Sequence, residues 1–263
     1  MNKIRILQNE VQLEEQDSLL HVETTIPASP FEVLKLKIFV NQSTSLELYQ
    51  ESEEESKIDI VFEVSQNVSF RVLEICKSSK LKIRYEYSLA AYSDVTVTKF
   101  YDCDFVKELD LIELSGEYAS IHHHLKTIAK EKQRFDLITY HNAAHTQSHM
   151  LNHGVNIKEG SIDFQVTSIV YQGIKDCTLS QNNRIITMND QKCNIEPILL
   201  IEEEDVVANH SAHIGQFDEE QLFYLMSRGI QKENALQLLI KGFLLESVSE
   251  TDSIQKIIEQ YWG

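Results

Sequence analysis

The sequence predicts a mainly β chain that ends in a small helical region. From about residue 4 to residue 211, apolar and polar residues alternate with period two, which is typical of half-buried strands. The alternating stretches are rich in β-branched and aromatic residues, and few segments between them are long enough for crossover helices. After Gly215 the apolar residues change to helical spacing. A chain of 263 residues is long enough for one large domain with an appendage.

The strand pattern recurs at short, fairly even intervals, which suits a β-sandwich, a β-barrel or a β-solenoid. Only eight glycines and three prolines occur in the chain, and Asn-Gly and Asp-Gly pairs are absent. Because tight hairpins in sandwiches and barrels usually use such pairs, this composition favours a solenoid. The clearest alternating stretches are residues 58–64, 68–72, 81–87, 95–100 and 162–170.

The helical region begins with a capping pattern. Asp218 is a good N-cap residue with Gln221 three positions later, and Arg228-Gly229 ends the predicted helix. A second helix is predicted from Lys232 to about Ser247, and a third from about Thr251. We therefore expect a strand-rich core over residues 1–214 and a helical region over residues 215–263.

Composition excludes several classes of function. The chain has 41 acidic and 24 basic residues and a formal charge of −17, which argues against phosphate contacts with nucleic acid and against anionic lipid. Its longest apolar runs, such as residues 197–201, are too short to span a bilayer. The first twenty residues contain no apolar signal-peptide core, so a cytoplasmic location is expected. Protein partners or metal cations fit this charge better.

Histidines form two suggestive groups. His141, His145, His149 and His153 recur every four residues, a spacing that would place them on one face of either a helix or a strand. A structural ladder is the favoured interpretation, and a metal-binding β-solenoid or metalloenzyme is the alternative. In the second group, residues 122–124, neighbouring side chains on a strand would point to opposite faces, so at most two histidines can cooperate.

The sequence contains none of the common catalytic or nucleotide-binding motifs. The chain lacks a nucleophile elbow, a P-loop and a dinucleotide-binding glycine motif. The four cysteines are Cys76, Cys103, Cys177 and Cys193. No two of them form a C-x-x-C pair, so no firmly held cluster or other cofactor is predicted. We predict a non-catalytic protein.

Two segments in the C-terminal half resemble a known family. Residues 205–215 read DVVANHSAHIG, similar to the D-V-x-x-x-H-x-A-x-x-G segment of SufB and SufD, which are paired β-helix subunits of the SUF iron–sulfur cluster assembly system. Residues 218–230 read DEEQLFYLMSRGI, similar to the family's D-x-x-x-x-F-Y-L-x-S-R-G-I. In order and spacing, the resemblance extends over about residues 141–246.

The resemblance implies a right-handed parallel β-helix and a scaffold role. Family members pair with each other, so the expected partners are a SufB-type paralogue or a second copy of this chain, in a dimer, and a SufC-type ATPase. The C-terminal helices would dock the ATPase, with Phe223, Tyr224 and Arg228 as candidate contacts. His210 would lie at the subunit interface and either ligate iron or a nascent iron–sulfur cluster transiently, or hydrogen-bond across the interface.

Two positions make the chain most similar to a short SufD, and a third departs from the SufD pattern. Asn182 stands at the corner where SufB carries a cysteine, and Ser211 follows His210 where SufB has glutamate. Ala208 occupies the place where SufD members commonly carry a cysteine. The family also typically carries a helical N-terminal region, whereas strand-like sequence begins here almost at once, so a minimal version is expected.

Overall fold

The computed structural model describes residues 2–8, 10–15, 20–27 and 32–246. Its strands coil into a parallel β-solenoid of about 7 turns, followed by two short helices. The predicted fold class, a β-helix with a C-terminal helical region, is confirmed. Among the described residues, no helix is both long and apolar enough to cross a membrane.

The strands begin almost at the start of the chain and continue to Gly215, and all five stretches singled out by alternation lie in or overlap them. In chain order the elements are β1 (Asn2–Leu7), β2 (Glu10–Glu15), β3 (Leu20–Thr25), β4 (Leu34–Val40), β5 (Thr44–Val64), β6 (Ser69–Leu89), β7 (Asp94–Leu114), β8 (Ser120–Ala129), β9 (Lys132–His141), β10 (Gln147–Asn156), β11 (Ser161–Val170), β12 (Cys177–Thr187), β13 (Asn194–Ile201), β14 (Val206–Gly215), α1 (Glu219–Ser227) and α2 (Lys232–Leu245).

The long strand β7 contributes to two faces of the solenoid, which continue as separate series of shorter strands. The first part of β7 pairs in parallel with β8, and its second part pairs in parallel with β9. One face then continues through β8, β10, β12 and β14, and the other through β9, β11 and β13. Within the described residues, β13 and β14 are each paired along one side only. The C-terminal end of the solenoid therefore presents free backbone donors and acceptors.

Side chains alternate strictly between the interior and the outer surface. In β11, Ile162, Phe164 and Val166 are buried and the residues between them are partly exposed. Because neighbouring strands are parallel and in register, inward positions form columns that run through successive turns, and these columns make one continuous hydrophobic core.

The corners of the solenoid explain how the chain turns with so few glycines. One residue at each of five successive corners has a left-handed backbone conformation, with φ between 56° and 61°. This costs energy for a non-glycine residue, and stacked side chains offset part of it. The Tyr92 and Tyr118 rings stack at 5.0 Å, and the Tyr118 and His145 rings at 4.5 Å. The five residues are Asn67, Tyr92, Tyr118, His145 and Asp176.

The helices follow the predicted boundaries closely. The Asp218 carboxylate accepts a hydrogen bond from the backbone N–H of Glu220, at 2.9 Å, so it caps α1 as expected. α2 ends at Leu245, two residues before the predicted end. The third predicted helix, from about Thr251, lies outside the described residues.

Candidate functional site

His210 lies on β14, at the open C-terminal end of the solenoid. Its register neighbours in the preceding turns are Gln181, Met150 and His123, whose side chains are all buried in the interior. The parallel register therefore directs His210 toward the solenoid axis. Its side chain is nevertheless exposed, because no later strand in the described part covers it.

The strand that carries His210 contains apolar and polar residues and no cysteine. Val207 is 65% exposed and Ile214 is 42% exposed, so the edge strand carries large apolar groups in solvent. Ala208 lies in register with Leu179 and provides no ligand atom. Ser211 donates a hydrogen bond to Asn182 at 3.1 Å, so the two positions that predicted a SufD-like chain contact each other.

None of the four cysteines is exposed. Cys76, Cys103 and Cys177 are buried, Cys193 is half-buried, and none forms a disulfide. Burial raises the pKa of the Cys76 and Cys103 thiols well above the ordinary range, so both remain protonated.

The four histidines spaced by four residues do not form one site. His141 is buried, and its Nδ1 and Nε2 lie 2.7 Å from Thr146 Oγ1 and 2.9 Å from Ser148 Oγ. His145 occupies a corner, whereas His149 and His153 face outward from β10. Across the described ranges, no group of three or more His, Cys, Asp or Glu side chains could hold a metal ion.

The helical region has a fixed part and an exposed part. On α2, the Phe243 ring stacks on His153 at 4.2 Å, and the Phe243 carbonyl lies 2.9 Å from His153 Nδ1. These contacts anchor α2 to the outer face of the sheet. α1 contributes no buried residue, and it presents Phe223, 72% exposed, and Tyr224, 57% exposed.

The candidate docking residues form one patch on α1 and its C-cap. The Arg228 guanidinium lies over the Tyr224 ring, 5.2 Å from its centroid. Tyr, Arg and exposed aromatic side chains are common anchors of protein interfaces. α2 is therefore anchored to the solenoid, and the neighbouring short helix α1 presents aromatic residues that remain available to a partner.

A buried charge cluster in the interior was not predicted. Lys99 Nζ lies 2.9 Å from Glu108 Oε1 and 2.7 Å from Asp110 Oδ2, and all three side chains have no exposed surface. His123 Nε2 lies 2.9 Å from the same Asp110 oxygen, and the Tyr101 hydroxyl donates a hydrogen bond to Glu108. This cluster lies three turns or more before the His210 end of the solenoid.

The cluster continues one turn earlier through Glu74. This carboxylate accepts hydrogen bonds from the Tyr85 hydroxyl and, at 2.6 Å, from the Gln50 amide. The whole group therefore contains three carboxyl groups, from Glu74, Glu108 and Asp110, around one ammonium group.

Burial changes the protonation of these groups. Desolvation raises the pKa of Glu74 and of Glu108 to about 7, against the lowering effect of Lys99. Desolvation also lowers the pKa of His123 to about 3, so this imidazole is neutral at pH 7. Burial alone would lower the pKa of Lys99, but the charges of Asp110 and Glu108 outweigh it and raise that pKa. The cluster thus holds protons near neutral pH that exposed carboxyl groups would release.

The sequence contained a signal for this cluster. Lys99 lies two residues after the inward-facing Val97, and Asp110 lies two residues before the inward-facing Ile112. A charged residue at the inward parity of a strand has to be buried with a partner.

Comparison with known proteins identifies the family of this chain. The family described as "SUF system FeS cluster assembly, SufBD core domain" matches residues 90–243, more than half of the chain. The chain belongs to the SufBD family. The match covers the turns from β7 onward, the His210 end and almost all of α2.

Individual relatives of this SufBD family chain include SufD proteins. It is 35% identical to the iron–sulfur cluster assembly protein SufD of Bacillus subtilis over 122 residues, which are 46% of this chain and 28% of that protein. It is 28% identical to the SufD of Escherichia coli over 137 residues, 51% of this chain and 32% of that protein. An iron–sulfur cluster assembly SufBD family protein of Mycobacterium leprae is 42% identical over 74 residues, 28% of this chain and 19% of that protein. The chain thus spans less than a third of the length of these relatives. The resemblance to SufD predicted from the sequence is confirmed.

Proposed function

We propose that this chain is a non-catalytic scaffold subunit in iron–sulfur cluster assembly. It pairs through β14 with a SufB-type paralogue or a second copy of itself, and it docks a SufC-type ATPase through its helical region. The observation that carries the proposal is the open end of the solenoid, where a SufBD family chain presents a strand paired along one side only among the described residues, with His210 at an inward position.

The edge strand supports the pairing part of the proposal. The outer edge of a terminal strand exposes a row of N–H and C=O groups that another strand can satisfy. Exposed apolar side chains on both terminal strands, Leu200, Val207 and Ile214, would also be covered by such a partner. Pairing would enclose His210 between two solenoids.

His210 is proposed as a transient ligand for iron or a nascent cluster, which is cargo of the scaffold. A neutral imidazole nitrogen is a suitable donor for iron. Because Ala208 supplies no thiol beside it, further ligands would have to come from the partner. The alternative role is a hydrogen bond from His210 across the interface.

The helical region supports the docking part of the proposal. Phe223, Tyr224 and Arg228 lie exposed on α1, while α2 fixes this helix to the solenoid. Hydrolysis by the ATPase would then act on the scaffold pair through α2. The cytoplasmic location expected from the sequence stays a prediction.

A double substitution in α1 tests the docking surface. We expect Phe223→Ala/Tyr224→Ala to abolish co-purification with a SufC-type ATPase, because large exposed aromatic anchors carry much of the binding energy of an interface. The matched control is Tyr171→Ala, which removes an exposed ring, 48% accessible, from the solenoid corner that follows β11. Equal recovery of the ATPase with the double variant and with the control would refute this docking surface.

A further inference from the structure

Two histidines on the outer face of the solenoid lie side by side on neighbouring parallel strands. His122 on β8 pairs in register with His149 on β10. Their ring centroids are 4.8 Å apart, and the ring planes differ by 19°. The neighbour of His149 is therefore an imidazole from the preceding turn, and not His145 or His153 from the series with a spacing of four residues.

Both imidazoles are half-buried, and their nitrogens are available. No ring nitrogen of His122 or His149 hydrogen-bonds another group in the described part of the chain. Their neighbours in the same column are Thr96 and Ser180, whose short side chains leave the outer edges of the rings open. The buried His141, by contrast, engages both ring nitrogens, with Thr146 and Ser148.

The spacing of the rings suits two ligands of one cation. Zinc binds imidazole nitrogen at about 2.0–2.1 Å in tetrahedral geometry, so two ligating nitrogens lie about 3.4 Å apart. The two rings are stacked, so χ2 of one or both histidines has to rotate for their nitrogens to converge on one cation, and χ2 is a soft torsion for histidine.

We propose that His122 and His149 form an exchangeable binding site for a late first-row divalent cation such as zinc. Two protein ligands leave the remaining coordination positions to water, so the cation enters and leaves freely. Imidazole pairs bind zinc, nickel and copper better than earlier metals of the row. The net charge of −17 raises the local concentration of cations around the protein.

This site is separate from the proposed role of His210. His149 lies on β10, and β12 intervenes between it and β14. The two sites therefore do not share a ligand, and either can be lost without the other. The inference does not depend on pairing with another subunit or on ATPase docking.

Zinc titration of the full chain by calorimetry tests the proposal. Removing even an outer partner of a metal ligand weakens binding about 10- to 100-fold, so we expect His122→Gln and His149→Gln each to weaken zinc binding by about tenfold or more. The matched control is His21→Gln, which removes an exposed imidazole near the other end of the solenoid. His210→Gln is a second control, and it should leave the affinity of this site unchanged.

The outcomes separate the proposal from nonspecific binding. Unchanged zinc affinity in both His122→Gln and His149→Gln would overturn it, and so would an equal loss in His21→Gln. Thermal unfolding gives an independent readout, because a cation that binds the folded chain raises the unfolding midpoint. Excess zinc should raise the midpoint of the native protein and of His21→Gln. The same shift in the His122→Gln/His149→Gln double variant would contradict the site.

Discussion

Replacing Lys99 by methionine is expected to destabilise the protein by about 3–5 kcal/mol. The ammonium group is fully buried and lies within 2.9 Å of Glu108 and 2.7 Å of Asp110. Without it, two buried carboxyl groups lose their only close cation in the described residues and must be ionised without compensation or take up protons. Urea unfolding followed by circular dichroism measures the loss.

Two comparisons make this result specific to the charge cluster. Lys107→Met changes an exposed lysine on the same strand and should alter stability by less than about 0.5 kcal/mol. The triple variant Lys99→Met/Glu108→Gln/Asp110→Asn removes all three charges, so it should recover much of the stability that Lys99→Met loses. If Lys99→Met were no more destabilising than Lys107→Met, the cluster would not have the ionic character described.

Glu108→Gln is expected to become more stable relative to the native protein as the pH rises from 5 to 7. Burial raises the pKa of Glu108 to about 7 in the folded chain, whereas an unfolded chain releases this proton near its ordinary value of about 4.3. The contribution of the protonated group is therefore complete below the unfolded pKa and is lost as the pH rises through the folded pKa. Because glutamine cannot ionise, the stability difference should grow by about 1 kcal/mol per pH unit.

Urea unfolding of both proteins at pH 5, 6 and 7 measures this change. Burial lowers the pKa of His141 to about 4 and of His153 to about 3, which acts in the opposite direction below pH 6.5. These histidines are present in both proteins, so their effect cancels in the difference. Glu113→Gln, at an exposed position of the same strand, should show a flat difference. A flat difference for Glu108→Gln as well would contradict the raised pKa.

Much of the fold follows from the sequence because alternation and capping are local signals. Period two in β11 reports directly which side chains face the interior, and Asp218 marks the start of α1 through one hydrogen bond. The scarcity of glycine correctly favoured a solenoid. The chain turns without glycine because corner residues such as Tyr92 and Tyr118 adopt a left-handed backbone and stack their rings, and no local rule predicts this.

The partners of Lys99 and the histidine pair could not be predicted because they depend on how the chain coils and on register between turns. Lys99 meets Glu108 across a bend within β7, and His122 meets His149 only because β8 and β10 pair without a shift. Spacing along the chain grouped His149 with His145 and His153 instead, which the structure separates. For His210, the sequence indicated the family and the residue, and its inward position at an open end became clear only from its pairing with Gln181.

Native mass spectrometry of this chain mixed with SufB-type and SufC-type proteins of the same organism tests the scaffold proposal most directly. The account predicts that the chain is paired, with the SufB-type protein or with a second copy, and that the paired species carries the ATPase. Placing charge on the edge strand with Val207→Asp/Ile214→Asp should remove the pairing while the folded chain keeps the ATPase. A folded native chain that remains monomeric and free of the ATPase at micromolar concentration would contradict the account.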